Sequence, residues 1–335
     1  RYGGKPAACL RCVRAVYVAL IINPIIIGWV TGAMVTVLKE GLFSEPGTIG
    51  SVTQSDLGNF GIICLCLAVV GVYCTFSGMW GVAITDVIQF VMAMTGCILL
   101  AVVAVRHVGG MDALQAKVAE NFGDGDQAFR FLPSFTAEDP WMPLQVFLIF
   151  LLVQWWATWY PGAEPGGGGY VVQRMAACKD ERHTVLATLW YQIAHYCLRP
   201  WPWLLVAFVA LAMYPEVRVL TQDPGLADEL NTKADAGFAW VMRDLSPPGL
   251  RGLMLVTFFA AFMSTISTQM NWGASYLVRD VYQRFIKPEA TDHELTTASR
   301  IVSLVVLGEG ALVSLMMLNV NVAEVWKILL ALGAG

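Results

Sequence analysis

The sequence predicts an all-α membrane protein that crosses the lipid bilayer several times. Of its 335 residues, 57% are hydrophobic and only 14% are charged, and the mean hydropathy is +0.60. Soluble domains carry about 25% charged residues. The apolar residues are also grouped into long runs, separated by polar loops that are rich in glycine and proline. Because a helix needs about 20 apolar residues to span the hydrocarbon core, runs of this length are predicted to be membrane spans.

Eight apolar runs are candidate spans, and the last of them is incomplete. We therefore expect about seven full spans and a partial eighth, since each full run approaches or exceeds the length needed to cross the bilayer. The candidates are 12–38, 59–77, 80–105, 141–161, 184–213, 250–278, 297–319 and 322–335.

Lysine and arginine residues assign the two sides of the membrane. Three basic regions, 1–14, 174–182 and 279–287, alternate along the chain with acid-rich loops at 107–140 and 214–249. Because cytoplasmic loops carry an excess of Lys and Arg, the basic side is predicted to be cytoplasmic. The sequence has no basic patch outside these short loops, so we expect no nucleic-acid partner.

Hydroxyl and carbonyl oxygens cluster in the sixth run. Ser264 and Thr265 follow Ala261 by three and four residues. On a helix this spacing places the Ala261 carbonyl and both hydroxyls on one face. Three neutral oxygens at one depth suit a small hard cation, which prefers oxygen ligands. The alternative is that the hydroxyls only bond back to the preceding turn or serve as small packing residues.

Ionisable side chains in or beside the apolar runs are a second signal, because a charge inside a bilayer is costly and usually faces protein or water. Asp86 lies near the predicted start of the third run. It either marks an ion pathway or stabilises a helix N-terminus. Glu164 follows the fourth run, while Arg199 and Glu309 lie inside the fifth and seventh. The last two are candidates for a buried pair or for snorkelling to the membrane surface.

The fourth run ends in a segment that no helix passes through smoothly, because residues 161–169 contain two prolines and five glycines. Irregular backbone inside a membrane is tolerated where it lines a cavity or is buried in protein, and transporters bind substrates and ions at such breaks. We predict that the helix ends within 160–165 and that a new element begins at Tyr170. The aromatic stretch before the break forms either a pocket wall or an interfacial belt; its candidate pocket residues are Gln154, Trp155, Trp156, Trp159 and Tyr160.

Cysteine and histidine residues give no sign of a metal centre or of enzyme chemistry. Cys9 and Cys12 form a CxxC pair that has neither a second pair nor a histidine beside it. The four histidines show no metal-ligand spacing, and the motifs HExxH and GxSxG do not occur. We therefore expect neither an enzyme nor an organic cofactor.

Three groups of motifs together resemble the sodium:solute symporter family. Residues 85–89 (TDVIQ) resemble the start of the family's core helix 5, and residues 170–174 (YVVQR) resemble the YxxQR motif that closes core helix 6. Residues 248–252 (PGLRG), 263–265 (MST) and 279–282 (RDVY) resemble core helix 8. The order and spacing of these motifs extend the resemblance over essentially the whole sequence.

The resemblance implies the five-plus-five inverted-repeat fold of LeuT-like transporters. By this alignment, residues 1–335 form a single transporter domain that corresponds to core helices 3–10, without core helices 1 and 2 and the C-terminus. The glycine-rich segment 161–169 departs from the shorter connection of the family's sugar and proline transporters.

The resemblance also implies roles for the candidate residues. Ala261, Ser264 and Thr265 would form one half of a Na⁺ site whose other half comes from core helix 1. Asp86 would lie on the intracellular ion path, and residues 154–160 would form one wall of the substrate pocket.

The expected function is secondary active transport, in which Na⁺ drives the symport of a small polar organic solute by alternating access. The expected location is the lipid bilayer of a bacterial inner (plasma) membrane. The alternative is a solute-sensing membrane module of the same fold without coupled transport. Sodium-dependent uptake of a solute separates the two.

Overall fold

The computed structural model describes residues 4–45, 56–122, 143–154, 169–214 and 236–317, together with Phe129, Leu132 and Val325. The regular secondary structure within these ranges is helical throughout, as predicted. Five helical segments are long and apolar enough to cross a membrane: Gly4–Phe43, Gly81–Val108, Glu181–Met213, Pro248–Ile286 and Asp292–Met316. Shorter apolar helices cover Phe60–Cys74 and Leu144–Val153. These segments occupy the positions of the seven predicted full spans, and the eighth lies outside the described residues except for Val325.

In the described part of the chain, the helices are numbered in order. They are α1 (Gly4–Phe43), α2 (Asp56–Val108), α3 (Met111–Phe122), α4 (Leu144–Ile149, extended by Phe150–Gln154), α5 (Gly169–Ala176), α6 (Glu181–Met213), α7 (236–245), α8 (Pro248–Ile286) and α9 (Asp292–Met316).

Several of these helices contain a π-helical turn, in which the backbone hydrogen bonds skip one residue more than in an α-helix. The turns are at Val18–Ile22 and Lys39–Phe43 in α1, Phe150–Gln154 in α4, Ile193–Leu198 in α6 and Leu277–Ile286 in α8.

Helix α2 is continuous where the sequence predicts two separate spans, 59–77 and 80–105. The two residues between these runs, Gly78 and Met79, do not end the helix, because one glycine costs a helix only about 1 kcal/mol relative to alanine and neither residue is a proline. Asp86 therefore lies deep inside a helix that begins at Asp56. Its interpretation as a carboxylate at a helix start is wrong for the same reason.

Helices α4 and α5 flank the predicted proline- and glycine-rich break. Helix α5 begins at Gly169 and ends at Ala176. This confirms, to within one residue, the new element predicted at Tyr170. The helix end predicted within 160–165 lies outside the described residues, so that part stays a prediction.

Side-chain caps fix the starts of α6 and α9 after the two basic loops. Asp180 Oδ1 accepts from the backbone N–H of His183 at 2.9 Å, and this bond holds the pKa of the Asp180 carboxyl below its usual value. At α9, Thr291 and Glu294 form a reciprocal capping box, which satisfies two backbone donors of the first turn. These caps end the loops at defined residues.

The helices belong to two compact units. The first contains residues 1–35, 53–93 and 256–329, and the second contains 36–52, 94–255 and 330–335. The first unit therefore contains the segments that carry Asp86, Ala261, Ser264 and Thr265.

Within the first unit, α1 and α9 approach closely through glycines. A Cβ atom at Gly310 would lie 2.3 Å from Cγ2 of Ile27, and one at Gly28 would lie 2.7 Å from Cγ1 of Val313. Small residues of this kind let helix backbones approach each other within a membrane. The contact has no room for another methyl group.

We expect the substitution Gly310→Ala to lower the melting temperature of the full-length protein in detergent. The added methyl group would overlap Ile27, and overpacking of this kind costs about 1–3 kcal/mol. Gly308→Ala is the matched control on the same helix, because a Cβ there meets no atom within 4 Å. Equal melting temperatures for the two variants would contradict the tight contact.

In the second unit, a buried polar network connects α7 to the end of α1 and the start of α8. The Glu40 carboxylate, only 4% exposed, accepts from Trp240 Nε1 at 2.8 Å. Arg243, 2% exposed, pairs with Asp244 at 2.6 Å. Arg251 Nη2 donates to the Arg243 carbonyl at 2.6 Å. Because buried charges need such partners, the network fixes the first turn of α8.

Candidate cation site

Helix α8 carries the predicted oxygen cluster and starts with a residue suited to that position. Pro248 is tolerated in the first turn, where its missing N–H would have no intrahelical partner. The helix then runs without interruption past Ala261, Ser264 and Thr265. Thr265 Oγ1 donates to the Ala261 carbonyl at 3.0 Å, which places these two oxygens side by side.

The hydroxyl of Ser264 crosses to a different helix. Ser264 Oγ donates to Asp86 Oδ1 of α2 at 2.6 Å. This short length is typical of a hydrogen bond from a hydroxyl to a carboxylate. The sequence singled out Asp86 and Ser264 for separate reasons, and the structure brings them into direct contact.

The hydrogen bonds leave the oxygen lone pairs of both hydroxyls available. A hydroxyl has one hydrogen and two lone pairs, and both Ser264 and Thr265 use that hydrogen on a neighbouring oxygen. Together with the Ala261 carbonyl and the Asp86 carboxylate, the two hydroxyls form a cluster of oxygen acceptors from two helices. The carboxylate, when ionised, gives this cluster a negative charge. Oxygen-only ligands with one carboxylate suit a small hard cation. Within the described ranges, no three His, Cys, Asp or Glu residues are grouped to hold a metal ion.

The alternative interpretation, in which the hydroxyls only bond back to the preceding turn, fits Thr265 better than Ser264. Thr265 bonds back to the preceding turn, as a purely structural threonine does. Ser264 instead donates to another helix, so back-bonding does not describe it. The two interpretations therefore differ most sharply at Ser264.

Sequence reasoning missed a polar ladder that continues along α8. Ser267 is fully buried and donates to the Ser264 carbonyl at 3.0 Å, and Asn271 Nδ2 donates to the Ser267 carbonyl at 2.9 Å. The spacing of Ser264, Ser267 and Asn271 is three and then four residues, which keeps them on one helix face. That periodicity was the signal that could have found them.

The other predicted residues lie in different surroundings. Arg199 is exposed on α6, with Nη1 3.3 Å from Nδ1 of His195 and the guanidinium 5.9 Å from the ring centroid of Trp203. Glu309 is half-buried on α9. Glu164 and the pocket candidates Trp155, Trp156, Trp159 and Tyr160 lie outside the described residues, as does the side chain of Gln154.

Comparison with known proteins identifies the family. A sequence model of the sodium:solute symporter family matches residues 59–333. The chain belongs to this family. It is 25% identical over 260 residues to a sodium/glucose cotransporter of Vibrio parahaemolyticus, covering 73% of this chain and 45% of that protein. It is 25% identical over 294 residues to sodium/glucose cotransporter 1 of Sus scrofa, covering 82% of this chain and 42% of that protein. The chain thus spans less than half the length of these relatives.

A solved structure of the same fold supports the architecture. This Na⁺-coupled sialic acid symporter superposes with a TM-score of 0.66 at 16% identity, covering 96% of this chain and 62% of that one. At this identity the similarity shows the fold alone, and it confirms the predicted LeuT-like helix bundle. Membership of the family and the five membrane-length apolar helices also confirm an integral membrane protein, and the matched family and relatives are sodium-coupled transporters rather than enzymes.

Proposed function

We propose that the protein couples Na⁺ to the symport of a small polar organic solute by alternating access. The observation that carries this proposal is the 2.6 Å hydrogen bond between Ser264 and Asp86, because it joins the hydroxyl pair of α8 to a carboxylate inside the membrane. Support also comes from the relatives, which are named as sodium/glucose and sodium/myo-inositol cotransporters. The similar solved structure is a Na⁺-coupled sialic acid symporter.

In this proposal Na⁺ is the transported coupling ion. Its ligands from this chain are the carbonyl of Ala261 and the hydroxyls of Ser264 and Thr265, and Asp86 attracts the ion and lies on its path to the cytoplasm. Binding of Na⁺ favours the conformation that binds the solute, so each ligand increases the affinity for the other. Residues 1–335 act as one transporter domain in which α8 contributes to the ion site.

The proposed solute is small and polar, and its pocket includes the aromatic stretch 154–160. Tryptophan and tyrosine rings offer apolar faces for stacking together with N–H and O–H donors, and Gln154 adds an amide. Sugars and polyols combine apolar C–H faces with many hydroxyls, which agrees with the sugar and inositol cotransporters among the relatives. We place the protein in a bacterial plasma membrane.

Uptake into proteoliposomes tests the proposal. The full-length protein is reconstituted, and uptake of labelled hexoses, inositols and sialic acid is compared with an inward Na⁺ gradient and with an equal K⁺ gradient. We expect concentrative uptake of at least one solute with Na⁺ only. Solute binding without Na⁺-dependent uptake would contradict symport and would favour a sensing module of the same fold.

A further inference from the structure

Two amide side chains, Asn23 of α1 and Gln269 of α8, are buried next to each other in the first unit. Asn23 is 0% exposed and Gln269 is 4% exposed. Asn23 Nδ2 donates to the backbone carbonyl of Gln269 at 2.9 Å. Among the described residues, neither Oδ1 of Asn23 nor Oε1 of Gln269 has a hydrogen-bond partner. Buried polar atoms are nearly always bonded, so two orphan oxygens on contacting residues indicate a ligand.

The orientation of the Asn23 amide is fixed by its surroundings. Rotating the amide by half a turn would place Oδ1 against the Gln269 carbonyl oxygen, where two acceptors repel each other. A Cβ at Gly273 would lie only 2.9 Å from Asn23 Nδ2, so glycine at this position lets the amide reach the backbone of α8. Oδ1 is therefore held as an acceptor that points away from that carbonyl.

A third acceptor comes from the backbone of α1. The π-helical turn Val18–Ile22 directly precedes Asn23, and Asn23 N–H donates to the Val18 carbonyl. The next residue, Pro24, has no N–H, so one backbone hydrogen bond of this turn is missing. Helix carbonyls point toward the C-terminus, which here is the direction of Asn23. One backbone carbonyl of the turn, close to Asn23 in the chain, therefore lacks its helical partner.

We propose that Asn23, Gln269 and the interrupted turn of α1 form a second Na⁺-binding site, separate from the cluster at Ala261, Ser264 and Thr265. The inference rests on the proposed function, in which Na⁺ already enters this helix bundle. The two amide oxygens and the carbonyl of the turn that lacks its helical partner are neutral oxygen ligands, which a small hard cation prefers. Gln269 follows Thr265 by four residues on α8, about 6 Å along the helix axis toward the predicted cytoplasmic side.

Counting bound sodium ions tests this site in the full-length purified protein. Gln269→Met and Asn23→Leu remove the amide oxygens while keeping similar volumes, and we expect each to bind one Na⁺ fewer than the wild-type protein. In proteoliposomes, the Hill coefficient for sodium should fall from about two to about one, and the half-saturating concentration should rise about tenfold. Thr31→Val is the matched control, because Thr31 is also fully buried on α1 but its hydroxyl is bonded to the Ile27 carbonyl at 2.6 Å.

A third variant distinguishes the loss of a sodium site from a folding defect. Gln269→Glu keeps the shape of the side chain and adds a negative charge, so it should lower the half-saturating sodium concentration about tenfold. An unchanged sodium count in both amide-removing variants, or a change in melting temperature alone, overturns the second site, since a structural water would give that result. Absence of sodium-dependent uptake in the wild-type protein would instead overturn the proposed function, so the two failures are distinguishable.

Discussion

Replacing Thr265 by alanine is expected to raise the sodium concentration for half-maximal uptake about tenfold. The substitution removes the Thr265 hydroxyl, a neutral oxygen that lies 3.0 Å from the carbonyl oxygen of Ala261. Losing one such contact costs on the order of 1–2 kcal/mol, and 1.4 kcal/mol corresponds to a factor of ten in affinity. The measurement is initial uptake into proteoliposomes over a range of sodium concentrations at fixed ionic strength.

The same change at Ser264 is expected to have the larger effect. Ser264→Ala removes a proposed ligand and also removes the hydroxyl that donates to Asp86. The carboxylate then loses a charge-assisted hydrogen bond, which is worth about 1.5–3 kcal/mol. Ser275→Ala is the control, because the Ser275 hydroxyl on the same helix bonds back to the Trp272 carbonyl at 2.8 Å. Sodium curves that stay unchanged for both Ser264→Ala and Thr265→Ala would eliminate this site.

Local patterns in the sequence are enough to predict the membrane-spanning helices but not α3 and α7, which lie in the acid-rich segments 107–140 and 214–249 that were predicted to be loops. Apolar runs place the spans because a lipid environment demands long stretches without charge. The proline- and glycine-rich segment predicts the element at Tyr170 because both residue types oppose a continuous helix. At 78–79, α2 continues from one predicted span into the next, because a single glycine is too small a penalty to end a helix.

Contacts between distant parts of the chain cannot be predicted from such local patterns. Ser264 and Asp86 are 178 residues apart, and Asn23 and Gln269 are 246 apart. Each pair depends on which helix faces pack together, and no local periodicity specifies that. The sequence could therefore nominate Asp86 and the α8 oxygens one at a time, from the cost of polar groups in a membrane. Their direct hydrogen bond appears only in the folded structure.

Asp86→Asn is expected to slow transport by one to two orders of magnitude while leaving the amount of protein in the membrane near normal. The amide keeps the shape of the carboxylate, and its oxygen can still accept from the Ser264 hydroxyl, which lies 2.6 Å from Oδ1 in the wild-type structure. What is lost is the negative charge that attracts a cation to the hydroxyl pair. A charge-assisted contact of about 1.5–3 kcal/mol corresponds to about 10- to 150-fold.

A carboxylate at a true helix start gives the control for this prediction. Asp112 lies in the first turn of α3 and is exposed, so Asp112→Asn should remove only a weak interaction with the helix dipole, about 0.3–1 kcal/mol. Turnover is measured for both variants in proteoliposomes at a sodium concentration below half-saturation and at saturating solute, with the amount of reconstituted protein determined in parallel. Normal turnover in Asp86→Asn would mean that the ionised carboxylate only holds Ser264 in place, and it would remove Asp86 from the ion path. Slow turnover in Asp86→Asn together with normal turnover in Asp112→Asn assigns the effect to the charge beside the hydroxyls of α8, because both variants lose the same charge from a helix.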